Sequence, residues 1–362
     1  MNGRAGCVLI MAGGTGGHIF PGLAVAESLR RQGVNVHWLG ARGGMECRQV
    51  PARDFPIDVV DIRGLRGKGL ATWLSIPWKL SRAVAQAFRL IGKVDPSCAV
   101  SFGGYAAGPG GLAARLRGVP LLVHEQNRIP GLTNRILARF AGRVLEAFPG
   151  TWKPSRRAVS CGNPVRDSVA ALQHPDTRLS DRRGPVRILL TGGSQGARAL
   201  NRLLPAALAL LPGGLTVDVR HQAGGRWLDE TRTAYRDAGI EADVTEFIED
   251  MAEAYGWADL VVCRAGALTV SEIAAAGIAS VLVPYPHAVD DHQTENARYL
   301  EEAGAALLLP EAELTPERLA EALQPLVADR ARLADMASKA RGRAVPDAAD
   351  RVAALCMEYL AT

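Results

Sequence analysis

The sequence contains few aromatic residues and no pair of cysteines at a metal-binding spacing. Aromatic residues make up 5% of its 362 positions, and its six cysteines are scattered along the chain. This pattern argues against a disulfide framework or a structural zinc site and fits a reduced cytosolic setting. Glycines interrupt the short apolar run at 7–12, so we expect neither a signal peptide nor a membrane-spanning helix. Any membrane contact is expected to be peripheral.

Three motifs of nucleotide and metal chemistry are missing as well. GxxxxGK[ST] does not occur, which excludes a P-loop ATPase. Ile19 stands where a dinucleotide-binding GxGxxG would have its third glycine, and the second predicted strand ends near Arg42 rather than at an acidic residue. The sequence also has no DxD. We therefore expect no NAD, no bound metal and no obligatory cofactor.

Negative charge is scarce in the first half of the chain. Residues 1–163 carry 22 Lys and Arg against 8 Asp and Glu, a balance of +14, whereas the remainder carries 20 against 29, a balance of −9. A positive field favours anionic partners such as a phosphorylated substrate, anionic lipid or nucleic acid. We expect no nucleic acid as partner, because the sequence contains no recognisable module with stacking aromatics.

Strand-like and helix-like segments alternate along the chain. An apolar run at 7–12, a glycine turn at 13–18 and a helical pattern at about 21–31 open it, and the same plan restarts at 187–191 with a turn at 192–196. Further strands are predicted at 34–40, 99–103, 121–125, 144–148, 217–221, 260–263, 281–284 and 306–309, helices at 199–210, 316–328 and 348–360, and an exposed loop at 174–185. The alternation predicts an α/β protein made of two similar halves, each with a parallel sheet.

Glycine turns follow the predicted strands at 7–12, 187–191 and 260–263. Such turns bring backbone amides and the positive end of a helix dipole against a phosphate. The alternative for each turn is a tight connection without a ligand. Because open α/β sheets bind ligands at the carboxyl ends of their strands, two such halves predict a ligand shared across a cleft. Glu272, one turn into the third helix, is a candidate for binding ribose hydroxyls or for stabilising the helix dipole.

Several motifs, in order along nearly the whole chain, carry a family resemblance. They are GGTGGH at 13–18 with FPGLA at 20–24, SFGGY at 101–105 with GP at 108–109, HEQN at 124–127, GNPVR at 162–166, GGSQGA at 192–197, ALTVSE at 267–272, and DHQ at 291–293 leading to Asn296. The chain resembles the bacterial transferases that move N-acetylglucosamine from UDP-N-acetylglucosamine onto lipid I, undecaprenyl-pyrophosphoryl-N-acetylmuramoyl pentapeptide, to form lipid II. The resemblance implies the GT-B architecture, in which two Rossmann-like, doubly wound domains face each other across a cleft.

We predict an acceptor- and membrane-binding domain at 1–163, a UDP-sugar-binding domain at 164–345, and a C-terminal helix at 346–362 that returns to the first domain. The resemblance implies that Ser194 contacts the diphosphate, that Arg166 and Ile248 lie at the uracil, that 267–272 covers the phosphates and ribose, and that Gln293 and Asn127 hold the sugar. The full implied donor-binding set is Thr15, Gly16, Gly17, Asn127, Arg166, Ser194, Ile248, Ala267, Leu268, Thr269, Val270, Ser271, Glu272 and Gln293.

The implied reaction inverts the anomeric carbon, so the 4-hydroxyl of the muramoyl sugar needs a general base while UDP departs. His18, near a predicted helix N-terminus, is the leading candidate because the dipole favours its neutral imidazole; the alternative is a capping or acceptor-phosphate-binding histidine. Glu125 is the second candidate for a catalytic role, or a carboxylate that positions other residues. His124 is interpreted as structural, and the sequence DDH at 290–292 as a solvated turn rather than a metal site.

Between Ile62 and Val94 the sequence contains no acidic residue, while basic and apolar residues interleave. The basic ones are Arg63, Arg66, Lys68, Lys79, Arg82, Arg89 and Lys93, and the apolar ones include Leu70, Trp73, Leu74, Ile76, Trp78, Leu80, Val84, Phe88 and Leu90. This composition predicts an interfacial element on an anionic lipid surface. The alternative is a helix that packs in the core with snorkelling basic side chains. The basic, glycine-rich segment 63–69 is expected to approach the acceptor pyrophosphate.

Two other function classes remain beside the transferase. A UDP-sugar epimerase, or another GT-B enzyme using a UDP-sugar, would not need the basic and apolar stretch. A nucleotide-sugar-binding protein without catalysis would not need His18 and Glu125. The resemblance further implies roles in peptidoglycan synthesis, cell shape and cell division, a peripheral position on the cytoplasmic face of the inner membrane, and association with other cell-wall and division proteins.

Overall fold

The computed structural model describes residues 6–62, 70–193 and 196–360, with the backbone alone described at 70–76 and at 289. The chain divides into two compact units, Met1–Arg166 together with Val345–Thr362 (the first unit) and Asp167–Ala344 (the second unit). The basic segment 63–69, as well as Ser194 and Gln195, lies outside the described residues.

The first unit contains a seven-stranded parallel sheet. Its strands are β1 (Cys7–Ala12), β2 (Asn35–Ala41), β3 (Ile57–Val60), β4 (Cys98–Gly103), β5 (Leu121–Glu125), β6 (Arg143–Glu146) and β7 (Val159–Ser160). The spatial order is β3-β2-β1-β4-β5-β6-β7. Strands β1 and β4 are buried along nearly their whole length, as expected for parallel strands covered on both faces.

Five helices of the first unit cover the two faces of this sheet. They are α1 (Gly16–Arg31), α2 (Glu46–Gln49), α3 (Leu70–Val94), α4 (Ala107–Leu116) and α5 (Leu132–Leu137). Successive side chains of β1 point to opposite faces, so Ile10 packs in a cluster with Leu23 of α1, while Met11 packs in another with Ile91 of α3 and Ala113 of α4. Two hydrophobic cores therefore sandwich the sheet.

The second unit repeats the plan with a six-stranded parallel sheet. Its strands are β8 (Val186–Thr191), β9 (Val217–Gln222), β10 (Asp243–Thr245), β11 (Leu260–Cys263), β12 (Ala279–Leu282) and β13 (Ala306–Leu308), in the order β10-β9-β8-β11-β12-β13. Its helices are α6 (Asp167–Ala170), α7 (Pro175–Leu179), α8 (Arg198–Ala209), α9 (Leu228–Asp237), α10 (Met251–Trp257), α11 (Ala267–Ala276), α12 (His292–Glu301), α13 (Pro316–Ala328) and α14 (Arg330–Arg341). The predicted fold class, two Rossmann-like parallel-sheet domains, is confirmed.

The last helix, α15 (Ala348–Met357), belongs to the first unit by its contacts. It packs against α1, and its Val352 and Cys356 are fully buried in the same cluster as Ile10. The Cys98 Sγ lies 3.5 Å from the carbonyl oxygen of Cys356, which ties the helix to β4. Helix α15 therefore completes the helical layer on the α1 side of the first sheet.

The strand predictions are confirmed with ends shifted by one or two residues, but three strands were missed. These are β3, β7 and β10, which have two to four residues and lie at or next to sheet edges. The first helix also begins earlier than predicted, at Gly16 rather than near Pro21. The two glycines at 16 and 17 adopt helical conformations, so the glycine turn is shorter than expected and His18 lies inside the helix.

The prediction of an exposed loop at 174–185 is wrong in part, because this segment contains helix α7 and two half-buried arginines. The Arg178 guanidinium donates to the carbonyl oxygens of Ala276, the last residue of α11, and Gly277, its C-cap. Burial lowers the pKa of Arg178 to about 10. Arg182 forms an ion pair of 2.7 Å with Asp259, which is itself buried. The segment thus binds the C-terminal end of α11 and the residue that precedes β11.

Candidate active site

Two glycine turns meet at the carboxyl edge of the first sheet, where β1 and its neighbour β4 end. Gly104 has a φ of +87°, and a Cβ at this position would lie 2.0 Å from the carbonyl oxygen of Gly13. The two backbones can approach this closely only because Gly104 carries no side chain. From the other side, the buried Glu46 carboxylate accepts hydrogen bonds from Ala41 N at 2.8 Å and Gly14 N at 3.2 Å. The first turn is therefore fixed on both sides.

His18 is the third residue of α1, whose N-cap is Thr15. Its Nδ1 lies 3.4 Å from the Thr15 hydroxyl. Its Cδ2 and Nε2 face the second turn, since a Cβ added to Gly103 would lie 3.2 and 3.3 Å from them. The imidazole is half-buried, and Thr15, Gly16 and Gly17 form the start of the helix beside it. The first-turn amides and the helix dipole therefore bring positive potential to the same place as the imidazole.

Glu125 ends β5 and is almost completely buried. Its Oε1 accepts from the backbone and side-chain nitrogens of Asn127 at 3.0 and 3.2 Å, and its Oε2 accepts from Gly131 N at 3.1 Å and Asn134 Nδ2 at 3.0 Å. Burial raises the pKa of the Glu125 carboxyl, and these hydrogen bonds oppose that rise. Both carboxyl oxygens are thus engaged in holding the loop at 126–131.

Asn134, on α5, joins this loop to the turn beneath the imidazole. Its Oδ1 accepts from the Ser101 hydroxyl at 3.1 Å, and its Nδ2 donates to Glu125 and to the carbonyl oxygen of His124 at 3.1 Å. The Ser101 oxygen in turn accepts from Gly103 N at 3.3 Å. Sequence reasoning missed Asn134 because its partners lie 9 to 33 positions away and no spacing signals them.

Each unit contains one fully buried histidine near the carboxyl ends of its strands. His124 Nε2 lies 2.9 Å from the carbonyl oxygen of Gly162, and burial lowers the pKa of His124 to about 4. In the second unit, His221 lies between the Tyr235 hydroxyl at 2.9 Å and Asn201 Oδ1 at 3.0 Å, and burial lowers its pKa to about 3. Both imidazoles are therefore neutral in the folded protein near pH 7.

Acidification is expected to destabilise both units through these histidines. Their pKa falls from an unfolded value of 6.5 to about 4 for His124 and about 3 for His221, so between these limits the unfolded chain binds protons that the folded chain does not. The stabilisation is complete above pH 6.5 and is lost as the pH falls, by on the order of 3 kcal/mol for His124. Urea unfolding measured at several pH values checks this. The loss of unfolding free energy with falling pH should be smaller in His221→Gln than in the unmodified protein, and unchanged in His174→Gln, whose imidazole is exposed. Equal pH dependence in the unmodified protein and both variants would contradict the prediction.

In the second unit, the turn after β8 and the start of α11 lie side by side. Strands β8 and β11 are neighbours, with Thr191 paired to Cys263 at their carboxyl ends. Gly196, with a φ of +72°, approaches the carbonyl oxygen of Ala223 so closely that a Cβ there would lie 1.9 Å from it. The Gln222 side chain donates to the carbonyl oxygen of Gly193 at 2.9 Å and so holds the turn. Ser194, expected at the diphosphate, lies outside the described residues.

Helix α11 presents its first turn at this edge, with Gly266 as N-cap. Ala267, Leu268 and Thr269 form that turn, and Leu268 and Thr269 are half-buried. Val270 is fully buried, and the Ser271 hydroxyl donates to the carbonyl oxygen of Ala267 at 2.9 Å. The side chains of Val270 and Ser271 therefore serve the helix, and amides of the first turn are the groups available to an anion.

Glu272 lies on the second turn of α11 and is buried, with the Tyr255 hydroxyl 3.4 Å from its Oε2. The start of the helix is held by the fully buried Asn296, whose Nδ2 donates to the carbonyl oxygen of Ala265 at 3.2 Å. Gln293, one turn earlier on α12, accepts from Tyr285 N at 2.9 Å through its Oε1. Helix α12 thus holds the residues that follow β11 and β12, whereas Glu272 of α11 lies beside Tyr255 of α10.

Arg264, which the sequence gave no reason to select, braces the loop between β12 and α12. Its Nη1 donates to the carbonyl oxygens of Val283 and Pro284 at 3.2 Å each, and its guanidinium forms an ion pair with Glu311. Tyr285 follows directly, with its ring centroid 5.4 Å from the Arg264 guanidinium carbon. The guanidinium is mostly buried, so this is a structural brace beside the candidate donor site.

The remaining predicted residues lie at the edges of their own units. Arg166 closes the first unit, with its guanidinium carbon 5.8 Å from the Phe20 ring centroid. Ile248 is half-buried in the loop that follows β10 in the second unit. Asp290 and Asp291 have φ values of 54° and 51° in an exposed turn before α12. Among the described residues, no group of three or more His, Cys, Asp or Glu side chains could hold a metal ion.

The structure therefore assembles two clusters of candidate residues, one in each unit, each at the carboxyl edge of a parallel sheet. The first gathers Thr15, Gly16, Gly17, His18, Glu125 and Asn127, and the second gathers Ala267 to Thr269, Glu272 and Gln293. Residues 8–146 match the glycosyltransferase family 28 N-terminal domain, and residues 187–352 match its C-terminal domain. The fold and these two matches define a glycosyltransferase of the GT-B class.

Proteins similar to this chain over nearly its whole length share one named transferase activity. A protein of Marinobacter nauticus is 53% identical over 97% of this chain and 96% of its own length, and one of Xanthomonas axonopodis pv. citri is 57% identical over 97% and 82%. Both are named UDP-N-acetylglucosamine–N-acetylmuramyl-(pentapeptide) pyrophosphoryl-undecaprenol N-acetylglucosamine transferase. The crystal structure of Acinetobacter baumannii MurG is 43% identical and superimposes with a TM-score of 0.85 over 98% of this chain and 99% of that one. This chain belongs to the family that these transferases form.

Proposed function

We propose that this chain transfers N-acetylglucosamine from UDP-N-acetylglucosamine to the 4-hydroxyl of the muramoyl sugar of lipid I, which gives lipid II. The observation that carries the proposal is a pair of strand edges, one in each unit: the start of α11 beside the turn after β8, and an imidazole at the start of α1. The first suits a nucleoside diphosphate and the second suits an acceptor hydroxyl.

The donor is proposed to bind the second unit. Amides at the start of α11 meet the diphosphate, because a helix N-terminus carries both free N–H groups and positive potential, and Ser194 is proposed to contact the same group. Glu272 accepts hydrogen bonds from the ribose hydroxyls. Ile248 and Arg166 lie at the uracil, and Gln293 and Asn127 hold the sugar. Developing charge on the departing UDP is stabilised by these amides.

His18 is proposed as the general base. The acceptor oxygen forms a bond to the anomeric carbon from the face opposite UDP, the bond from that carbon to the diphosphate oxygen breaks, and the hydroxyl proton passes to the imidazole. The Thr15 hydroxyl, 3.4 Å from Nδ1, and the packing of the ring on Gly103 fix its orientation.

Glu125 is proposed as a positioning residue. Four hydrogen bonds already engage its two oxygens, and two of them come from Asn127. A carboxylate in this arrangement orients the Asn127 loop toward the sugar, and taking up a substrate proton would disrupt those bonds. This assigns the two candidate groups different roles, with His18 in contact with the reacting atoms.

We further propose that α3 rests on an anionic lipid surface at the cytoplasmic face of the membrane. Ala83, Ala87 and Ile91 are buried, so one face of α3 packs inward. Trp78, of which 76% is accessible, points away from that face, and the other exposed residues of the helix include Lys79, Leu80, Arg82, Phe88 and Arg89. Interleaved aromatic and basic side chains of this kind favour a headgroup layer. None of the described helices is apolar enough over a sufficient length to cross a bilayer. Peripheral attachment suits an acceptor with a polyprenyl tail.

The deciding experiment incubates the purified protein with UDP-N-acetylglucosamine labelled in the sugar and a short-chain lipid I analogue. Label is expected in the lipid fraction, with UDP released in equal amount. Release of free labelled sugar without transfer, or formation of an epimerised UDP-sugar, would instead support a hydrolase or an epimerase. Failure of label to reach the lipid would overturn the proposal.

Replacing Glu272 with Gln is expected to weaken donor binding about 10- to 100-fold, because the ribose hydroxyls lose a charged acceptor. The donor KM should rise while kcat changes little, since the contact is made equally in the ground and transition states. Steady-state kinetics with varied donor measures this. Glu253→Gln, at an exposed glutamate paired with Arg220, serves as the matched control. An unchanged donor KM in Glu272→Gln would remove this residue from the ribose site.

A further inference from the structure

The first unit contains a fully buried carboxyl group that has no part in the proposed donor contacts or in the proposed proton transfer. Glu46 is the first residue of the short helix α2, and its exposed fraction is 0%. A buried carboxylate is tolerated only where hydrogen bonds replace those that water would make. Its Oε1 accepts from Ala41 N at 2.8 Å, and its Oε2 accepts from Gly14 N at 3.2 Å. Each oxygen therefore binds a backbone amide of a different segment.

Three glycines surround the Glu46 side chain. Gly13 follows β1, Gly40 lies in β2, and Gly44 lies in the turn after β2. A Cβ on any of the three would lie 2.7 Å or less from an atom of the Glu46 side chain, which is closer than side chains approach in folded proteins. The backbone therefore encloses the carboxyl group closely and fixes the direction in which it points.

The two hydrogen bonds extend the connection between β1 and β2 past the end of their ladder. The last paired residues of these strands are Met11 and Leu39. Beyond this pair, Glu46 binds Gly14 N on one side and Ala41 N on the other. Gly14 has a φ of +93°, a conformation outside helix and strand geometry, so its turn depends on such a side-chain contact for support.

Gly14 directly precedes Thr15, the N-cap of α1, so the position of Gly14 determines where that helix begins. The Thr15 hydroxyl lies 3.4 Å from His18 Nδ1. We propose that Glu46 is a positioning residue of the transfer reaction: by holding Gly14 N, it sets the position of Thr15 and, through Thr15, of the imidazole. This inference rests on the proposed role of His18 as the base. Because a displacement of about 1 Å can lower a rate about 100-fold, a buried carboxylate can control turnover without touching a substrate.

The test measures kcat in Glu46→Gln, which keeps the size of the side chain. The amide retains one acceptor oxygen but places an NH2 group against one of the two backbone N–H donors, so one hydrogen bond is lost. The value of kcat is expected to fall about 10- to 100-fold. The dissociation constant of UDP-N-acetylglucosamine, measured by calorimetry, should stay within about twofold, because the proposed donor contacts lie mostly in the second unit. Rates are corrected for the folded fraction, which urea unfolding gives.

Glu146→Gln is the matched control, because Glu146 is a second buried carboxylate of the first unit. It accepts from Gly150 N at 3.2 Å and Trp152 N at 3.1 Å, which belong to a different loop, so its corrected kcat is expected to stay within about twofold. Gly44→Ala is a second test variant that keeps the carboxylate but displaces it with a methyl group, and it should lower kcat about tenfold. Equal corrected losses in Glu46→Gln and Glu146→Gln would overturn the inference.

A double-mutant cycle with His18→Ala tests whether Glu46 acts through the imidazole. If it does, Glu46→Gln should change the residual rate of His18→Ala by less than about twofold, because the group that Glu46 positions is already absent. Independent, multiplicative losses in the double variant, or an unchanged kcat in Glu46→Gln alone, would contradict the proposal. These outcomes concern only Glu46 as long as the unmodified protein transfers sugar. Absence of transfer in the unmodified protein would instead overturn the proposed function.

Discussion

Replacing His18 with alanine is expected to lower kcat by a factor of about 10² to 10⁴, the usual contribution of a general base. The donor affinity should stay within about twofold, because the proposed donor contacts lie mostly in the second unit. The truncation also leaves the backbone of the first helical turn in place, so the amides beside the imidazole persist. Initial rates with a lipid I analogue, together with donor titration by fluorescence or calorimetry, measure both quantities.

The alternative for His18, binding of the acceptor phosphate, predicts a different kinetic pattern. A lost binding contact raises the acceptor KM and leaves kcat nearly unchanged, whereas a lost base lowers kcat and kcat/KM together. His174→Ala, at an exposed histidine of the second unit, controls for loss of an imidazole as such. If His18→Ala retains its turnover number and only its acceptor KM rises, the base must be another group.

The parts of the site that were predictable from sequence are local. Thr15 and His18 are three positions apart at the start of α1, and this spacing places a hydroxyl and an imidazole at one helix terminus. Strand ends followed by glycines also identified the carboxyl edges of both sheets. In these cases the interacting groups are separated by a few residues, so the sequence pattern contains the geometry.

The parts that were not predictable depend on contacts between distant positions. Glu46 holds Gly14 across 32 residues, and Asn134 links Ser101 to Glu125 across 33 and 9 residues. Buried polar residues of this kind follow no period, because their partners are chosen by the packed fold. Arg178 is a similar case, since the charged segment that contains it was predicted to be an exposed loop, whereas its guanidinium binds the two carbonyls at the C-terminal end of α11.

The short strands β3, β7 and β10 escaped prediction for a related reason. Each has two to four residues, several of them half-exposed, so neither an apolar run nor a clear alternation is present. Their β conformation comes from pairing with a longer neighbour rather than from their own composition. Sequence patterns therefore identified the central strands that carry the glycine turns, and missed strands at the margins of the sheets.

Replacing Gly104 with alanine is expected to destabilise the first unit by about 3 kcal/mol or more and to reduce transfer activity further than the loss of folded protein explains. A Cβ there would lie 2.0 Å from the carbonyl oxygen of Gly13, so one of the two turns must move. Either movement shifts the support of the imidazole, since the adjacent Gly103 packs directly against His18.

Gly118→Ala is the matched control, because Gly118 also has a positive φ, +74°, but no heavy atom would lie within 4 Å of an added Cβ. It carries the cost of a left-handed alanine alone, about 1–2 kcal/mol. Urea unfolding gives the stability of both variants, and initial rates corrected for the folded fraction give their activity. The difference between them isolates the contact of the two turns from the cost of the backbone conformation. If Gly104→Ala and Gly118→Ala lose equal stability and equal corrected activity, the turns after β1 and β4 do not touch in solution. The proposed packing of His18 on the second turn would then be wrong.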